Sequence, residues 1–234
     1  MAAATPTDSE FLLLIADISG YTRFMMTNRT SRVHAHGIVT DLLSAVIKEA
    51  RFPLEVNKLQ GDAVFMIAER QEHEWQATGA DIGRRLDEFL AAFDKTLTGL
   101  ANANVCGCDA CRQMVTLRLK IIGHYGHAVR SRISGFDELS GVDVIVLHRL
   151  LKNTVPDSEY ILLTEPAFRF LMPPGDYAAH RERYDDIGDV PLRLRTLTTA
   201  TPTSAPRTFS LRDMARKIAY DVRYAFARER HPAK

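Results

Sequence analysis

An α/β fold, more closely an α+β sandwich with helices packed on a mainly antiparallel sheet, is what the alternation of apolar patterns in this chain predicts. Two observations carry the expectation. The strand-length run Phe11 to Ile18 meets Asp17 and a Ser-Gly-Tyr-Thr turn, and the stretch Pro53 to Ala68 reads as a hairpin folded at Gln60-Gly61-Asp62. Each of these strand units is followed by a long stretch with helical spacing, one holding Val33, Ile38, Val39, Leu42, Leu43, Val46 and Ile47, the other Ile82, Leu86, Phe89, Leu90, Phe93, Leu97 and Leu100.

In chain order, residues 1–9 read as a disordered leader and residues 10–198 as one domain. One long helix is expected after the first strand, then the hairpin, then the second helix. Residues 101–114 carry three cysteines and interrupt the pattern before a strand that spans Val115 to Ile122, ends in Gly-His-Tyr-Gly and runs on into His127-Ala128-Val129. After a turn at Ser134-Gly135, the spacing of Val142, Ile145, Val146, Arg149 and Leu150 predicts a helix following Gly141. A strand from Ile161 follows, and one or two short strands are expected between Ile187 and Leu197. Residues 199–209, rich in Thr, Pro and Ser, read as a linker. Ser210 can then cap an amphipathic helix over 210–234 that docks on its own domain, a partner chain or an anionic membrane; Asp213, Asp221 and Glu229 dilute its basic face and favour protein.

Composition narrows the function classes. Thirty basic and 29 acidic side chains leave a net charge of +1, which offers no overall field for nucleic acid or membrane. No basic segment precedes an apolar one at the amino terminus, and the apolar runs fall short of a membrane span, so a cytoplasmic protein is expected. In a reducing compartment Cys106, Cys108 and Cys111 are expected to stay thiols or to hold Zn²⁺ in a structural role, with the fourth ligand open to a histidine, a water or a second chain.

The two aspartates carry the functional expectation. If their strands are neighbours, Asp17 and Asp62 face one pocket, and hard oxygen ligands of this kind hold Mg²⁺ or Mn²⁺ with help from substrate phosphates. The small Ser19-Gly20 pair permits close backbone approach.

The order of these motifs resembles the catalytic domain of class III adenylyl and guanylyl cyclases. IADISGYT is similar to that family's Asp-Ile-x-Gly-Phe/Tyr-Thr turn, Lys58-Leu59-Gln60-Gly61-Asp62-Ala63 to its lysine and Gly-Asp-Ala hairpin, and His124-Tyr125-Gly126 to its His-x-Gly strand. The chain is also similar to a bacterial subgroup with a cysteine cluster before that strand. What the resemblance implies is a nucleotidyl-cyclase, ferredoxin-like fold and a metal-dependent conversion of ATP, with GTP less favoured, to the cyclic 3′,5′-monophosphate and pyrophosphate. It implies a two-metal site at Asp17, Ile18 and Asp62, phosphate contacts at Ser19, Gly20, Tyr21 and Thr22, purine contacts at Lys58 and at Glu138 or Asp137, and a transition-state role for Arg149. It also implies a homodimer in which one chain supplies the aspartates and the other supplies Lys58, Glu138 and Arg149. His124 is expected to fix backbone geometry. The departure is Ile145, which falls where the family has an asparagine; the alternative is therefore a nucleotide-binding module without turnover, unless His148 supplies the missing polar group.

Overall fold

The computed structural model describes residues 7–103 and 108–197. The proposed linker, the carboxy-terminal helix and Cys106 lie outside the described residues.

The long apolar run forms β1 (Thr7–Ser19), and its composition follows from its place: it pairs antiparallel with both neighbours, β3 (Ala63–Glu69) and β4 (Arg118–Ile133), and is covered on both faces. Leu12, Leu14, Ala16 and Ile18 enter the larger core beneath the helices, while Phe11, Leu13 and Ile15 enter a second core on the opposite face. With β2 (Glu55–Gln60), β5 (Phe136–Ser140), β6 (Tyr160–Thr164), β7 (Ala178–Tyr184) and β8 (Gly188–Thr196), the path runs β2-β3-β1-β4-β6-β8-β7, and β5 pairs with β4. Only the β4–β6 pair is parallel among the described strands. The α/β expectation of a mainly antiparallel sheet with packed helices therefore holds.

Between β1 and the hairpin the chain forms two helices where one was expected. Gly20, left-handed at φ 86°, starts the short α1 (Tyr21–Thr27), and a buried Asn28, whose Nδ2 donates to the Phe24 carbonyl at 2.7 Å, closes it before α2 (Arg32–Glu49). Val33, read as a core position, is 54% exposed. The second helical stretch is α3 (Trp75–Ala103), the cysteine segment includes α4 (Asp109–Gln113), α5 (Val142–Leu150) follows β5, and α6 (Glu165–Leu171) follows β6. Three further expectations are corrected. Val115 and Thr116 form a 3₁₀ turn rather than strand, because β4 starts at Arg118. His124 sits inside β4 rather than at its end. Residues 7–9, read as leader, belong to β1 and pair with Arg130, Val129 and Ala128.

Helices α2, α3 and α6 share the larger core, whereas α5 covers the opposite face. The α3–α6 contact depends on two glycines four residues apart. A Cβ at Gly79 would meet the Phe170 carbonyl oxygen at 2.4 Å, and one at Gly83 would meet that of Leu171 at 2.0 Å. Gly99 on the same helix faces open space. Gly83→Ala is accordingly expected to lower unfolding free energy by about 2 kcal/mol in urea titration, through overpacking against backbone, while Gly99→Ala raises it by about 0.5–1 kcal/mol through helix propensity.

Candidate functional site

Asp17 follows Phe11, Leu13 and Ile15 on the α5 side of β1. Its register partners are Ala63 on β3 and Lys120 on β4. The β2–β3 turn is held to the same strand end by the Ile18 amide, which donates to the Asp62 carbonyl at 3.2 Å. Gly61 makes this possible by taking φ 67° at the turn. Asp62 and Asp17 thus converge at one strand end, close enough for the Asp17 charge to act on the Asp62 carboxyl. Burial, and then the Asp17 charge, push the Asp62 carboxyl up to about 6.

Lys120 completes the group. Its Nζ lies 2.9 Å from Asp17 Oδ2, and both side chains are about six-sevenths covered, at 16% and 15% exposure. Tyr160, the register partner of Lys120 on β6, continues the row, and burial raises its hydroxyl above the ordinary phenol range. The motif comparison missed Lys120. Alternation puts Lys120 on the face of Ile122, but only the pairing of β4 with β1 sets it beside Asp17.

Beside this group, Ser19 ends β1 opposite Arg118, and Gly20 turns the chain so that Tyr21 and Thr22 open α1. The first amides of α1 have no carbonyl partner within the helix. The Phe24 amide, in contrast, already closes onto the Gly20 carbonyl at 2.9 Å.

A second cluster forms where the β4–β5 hairpin brings Glu138 back to β2: Lys58 Nζ and Glu138 Oε2 are 2.6 Å apart. Asp137 instead faces Arg130, at 3.8 Å. The His148 ring tilts against Phe65 with centroids 5.5 Å apart, and burial together with the Lys58 charge lowers its pKa. Arg149 joins neither cluster; it pairs with Asp186 at 2.5 Å. Ile145 is 51% exposed on the same helix.

His124 was expected to fix backbone geometry; instead it joins two side chains. Its Nδ1 contacts Thr164 Oγ1 and its Nε2 contacts Asp143 Oδ1, each at 2.9 Å, while Asp143 Oδ2 accepts from the His127 amide at 2.6 Å. Gly126 leaves room for that carboxylate, since a Cβ there would meet Asp143 Oδ2 at 2.3 Å. The His-x-Gly signature is therefore the socket into which the first turn of α5 locks.

The cysteines converge on a histidine from α2: Cys108 Sγ lies 3.5 Å and Cys111 Sγ 4.0 Å from His34 Nδ1. No spacing rule links His34 to them across more than seventy residues, so sequence reading left that ligand open.

The sequence pattern of DUF2652, a family described as a protein of unknown function, matches residues 39–160. The uncharacterized protein Rv2561/Rv2562 of Mycobacterium tuberculosis is 32% identical over 127 residues, covering 54% of this chain and 57% of that relative. This chain therefore matches little more than half the relative's length. Among solved structures, a bacterial light-regulated adenylyl cyclase has a TM-score of 0.59 at 15% identity, covering 93% of this chain and 58% of that one. The guanylyl cyclase Cya2 has a TM-score of 0.59 at 12% identity, covering 85% and 96%. These likenesses are of fold: the α/β architecture is that of nucleotidyl cyclase catalytic domains. Among the described residues, no helix is long and apolar enough to cross a membrane.

The raised Asp62 pKa has a definite sign. The folded state holds the proton more tightly than the unfolded chain, so ionising Asp62 costs stability progressively as pH rises from the ordinary carboxylate range through about 6. Without divalent cation, Asp62→Asn is expected to stabilise the protein at pH 7.5 by about 1 kcal/mol, after allowance for solvent screening, and to leave it unchanged at pH 4. Thermal melts at the two pH values check this; destabilisation at pH 7.5 would mark Asp62 as a structural turn residue.

Proposed function

Since the chain belongs to the DUF2652 family, which is described without a function, we propose from its own geometry that it is a purine nucleotidyl cyclase, converting ATP in preference to GTP into the cyclic 3′,5′-monophosphate and pyrophosphate. The observation that carries this reading is the convergence of Asp17, Asp62 and Lys120 beside the Gly20 turn. A partly covered pair of hard carboxylates suits Mg²⁺ or Mn²⁺, with Asp17, Asp62 and the backbone at Ile18 as the residues that would hold it. When bound, the ion would neutralise phosphate charge and favour ionisation of the ribose hydroxyl.

The chain's own groups supply the rest. Lys120 orients Asp17 through their 2.9 Å ion pair and adds positive charge next to the phosphates. Backbone amides from Ser19 to Thr22 cradle the β- and γ-phosphates. Glu138 accepts from the exocyclic amine of the purine while Lys58 donates to a ring nitrogen, which favours adenine. Arg149 leaves Asp186 to meet the charge that develops on the α-phosphate. Because Arg149 is not gathered with the aspartates in one chain, the active assembly is a homodimer in which a second copy completes each site. The exposed apolar side chains Phe136, at 71%, and Val142, at 70%, lie beside the Lys58–Glu138 half and suit such a contact. We place the protein in the reducing cytoplasm.

A second reading, binding without turnover, draws on one observation: half-exposed Ile145 presents no polar atom where a ribose-orienting group is needed. Purified protein incubated with Mn²⁺ and ATP or GTP, followed by chromatography of cyclic nucleotide and by calorimetry, separates the two. Turnover abolished by Asp17→Ala is expected, with Ile145→Asn raising kcat by about 10²-fold. Calorimetric binding with no product from either the parent or the Ile145→Asn protein would establish the second reading.

Inactive Asp17→Ala and Arg149→Ala proteins are expected to regain activity on mixing, to about a quarter of the parent level, since half of randomly paired dimers hold one intact site. No recovery, with subunit exchange verified, would contradict the shared site.

A further inference from the structure

We propose that His34, Cys108 and Cys111 form a structural zinc site that fastens the start of α2 to α4. The three ligand atoms, one from each residue, lie within 4.8 Å of one another. A tetrahedral Zn²⁺ with Zn–S of about 2.3 Å and Zn–N of about 2.0–2.1 Å sets the sulfur-to-nitrogen edge near ~3.6 Å and the sulfur-to-sulfur edge near ~3.8 Å. The observed 3.5 and 4.0 Å from His34 Nδ1 to the two sulfurs bracket that edge, so ion binding needs only small side-chain adjustment.

The chemistry points to the same class of ion. Two thiolates and an imidazole are soft and borderline donors, which select Zn²⁺ over the hard cations suited to Asp17 and Asp62. Both sulfurs pack against the larger core, and all three residues are partly covered, so the group is walled by apolar side chains yet reachable from solvent. Cys108 immediately precedes α4 and Cys111 lies within it, which fixes both sulfurs relative to one short element.

The position explains what the ion does. Helix α4 packs against both α1 and α2, and the turn that follows it approaches the phosphate-loop candidate: a Cβ on Gly20 would stand 3.7 Å from the Thr116 carbonyl oxygen. His34 belongs to the first turn of α2. A zinc bridge there fastens the short α4 to the start of the long α2, at a place apart from the carboxylate pair. This assignment stands whether or not the protein turns over nucleotide.

The test uses the full chain. Protein expressed with zinc and purified under reductant without chelator is expected to carry one Zn²⁺ per chain by plasma mass spectrometry. X-ray absorption at the zinc edge is expected to show mixed sulfur and nitrogen ligation. Chelator should remove the ion and lower the melting temperature, and re-addition should restore it. Cys108→Ser and Cys111→Ser should abolish stoichiometric zinc, and His34→Ala should weaken it at least tenfold. Should those variants fold poorly, Co²⁺ titration of the unaltered apoprotein provides a variant-free readout, with thiolate-to-cobalt charge transfer and tetrahedral visible bands expected. Zinc retained by both cysteine variants, a cobalt spectrum without thiolate bands, or a Cys108–Cys111 disulfide whose reduced form takes up no Zn²⁺ would overturn the proposal.

Discussion

The covering of β1 on both faces is the constraint on which the rest of the molecule depends. Residues Phe11 to Ala16 are fully buried, so alternate side chains belong to different cores. A slip of one residue against β3 or β4 would exchange the two sets and turn Asp17 and Lys120 towards the helices. The apolar positions therefore fix the register, and the register fixes the polar ones. Asp17 meets Lys120 because Ile15 meets Ile122 two residues earlier. A carboxylate and an ammonium so largely covered would be costly apart, and breaking such a pair by removing one partner typically costs several kcal/mol. Together they form a charged end to an apolar strand.

The same rigidity is carried to the opposite face by the Asp143 clamp. Helix α5 is nine residues long and covers the smaller core with Val144, Leu147 and Leu150. Apolar contact alone would let so short a helix slide. Asp143, held by His124 and by the His127 amide above Gly126, fixes its first turn to β4, and Thr164 fixes His124 in turn. Thr164 also caps α6, so one hydroxyl links the socket to the following helix. The exposed α5 residues Val142, Ile145 and Arg149 thus stand on a positioned surface.

This dependence explains what could be read in the sequence. The central strand, the hairpin and the helices α2, α3 and α5 were legible because burial imposes periods of two and 3.6 on long segments. The shared place of Asp17 and Asp62 at neighbouring strand ends was legible because turns with glycine mark such ends, whereas the Lys58–Glu138 pair needs the β4–β5 hairpin to form. What escaped depends on long-range pairing. Lys120 is an ordinary strand lysine until β4 is set against β1, and His34 is an ordinary helix histidine until α4 is folded onto α2. Helix α6 escaped because it is only seven residues, too short for periodicity to show. Val33 was misread for a related reason: an apolar residue on the right spacing is still exposed when the neighbouring element leaves that stripe uncovered.

The two clusters differ in their electrostatics. With both carboxylates ionised, Asp17, Asp62 and Lys120 carry a net charge of −1, and the elevated Asp62 pKa shows that even this residual charge is uncomfortable at its degree of burial. One divalent cation would reverse the sign and leave the group suited to an anionic phosphate chain. Lys58 and Glu138, by contrast, neutralise one another at 2.6 Å. A neutral pair attracts no ion, but its members can exchange their mutual hydrogen bond for a ligand with one donor and one acceptor side by side, as a purine edge presents. On the proposed reading, affinity for charge would reside at the end of β1 and discrimination of shape at β2 and β5. On the same reading, Arg149, paired with Asp186, would give up that partner before it could serve either. The exchange is inexpensive because both side chains are nearly half exposed, at 47% and 44%, where an ion pair contributes little.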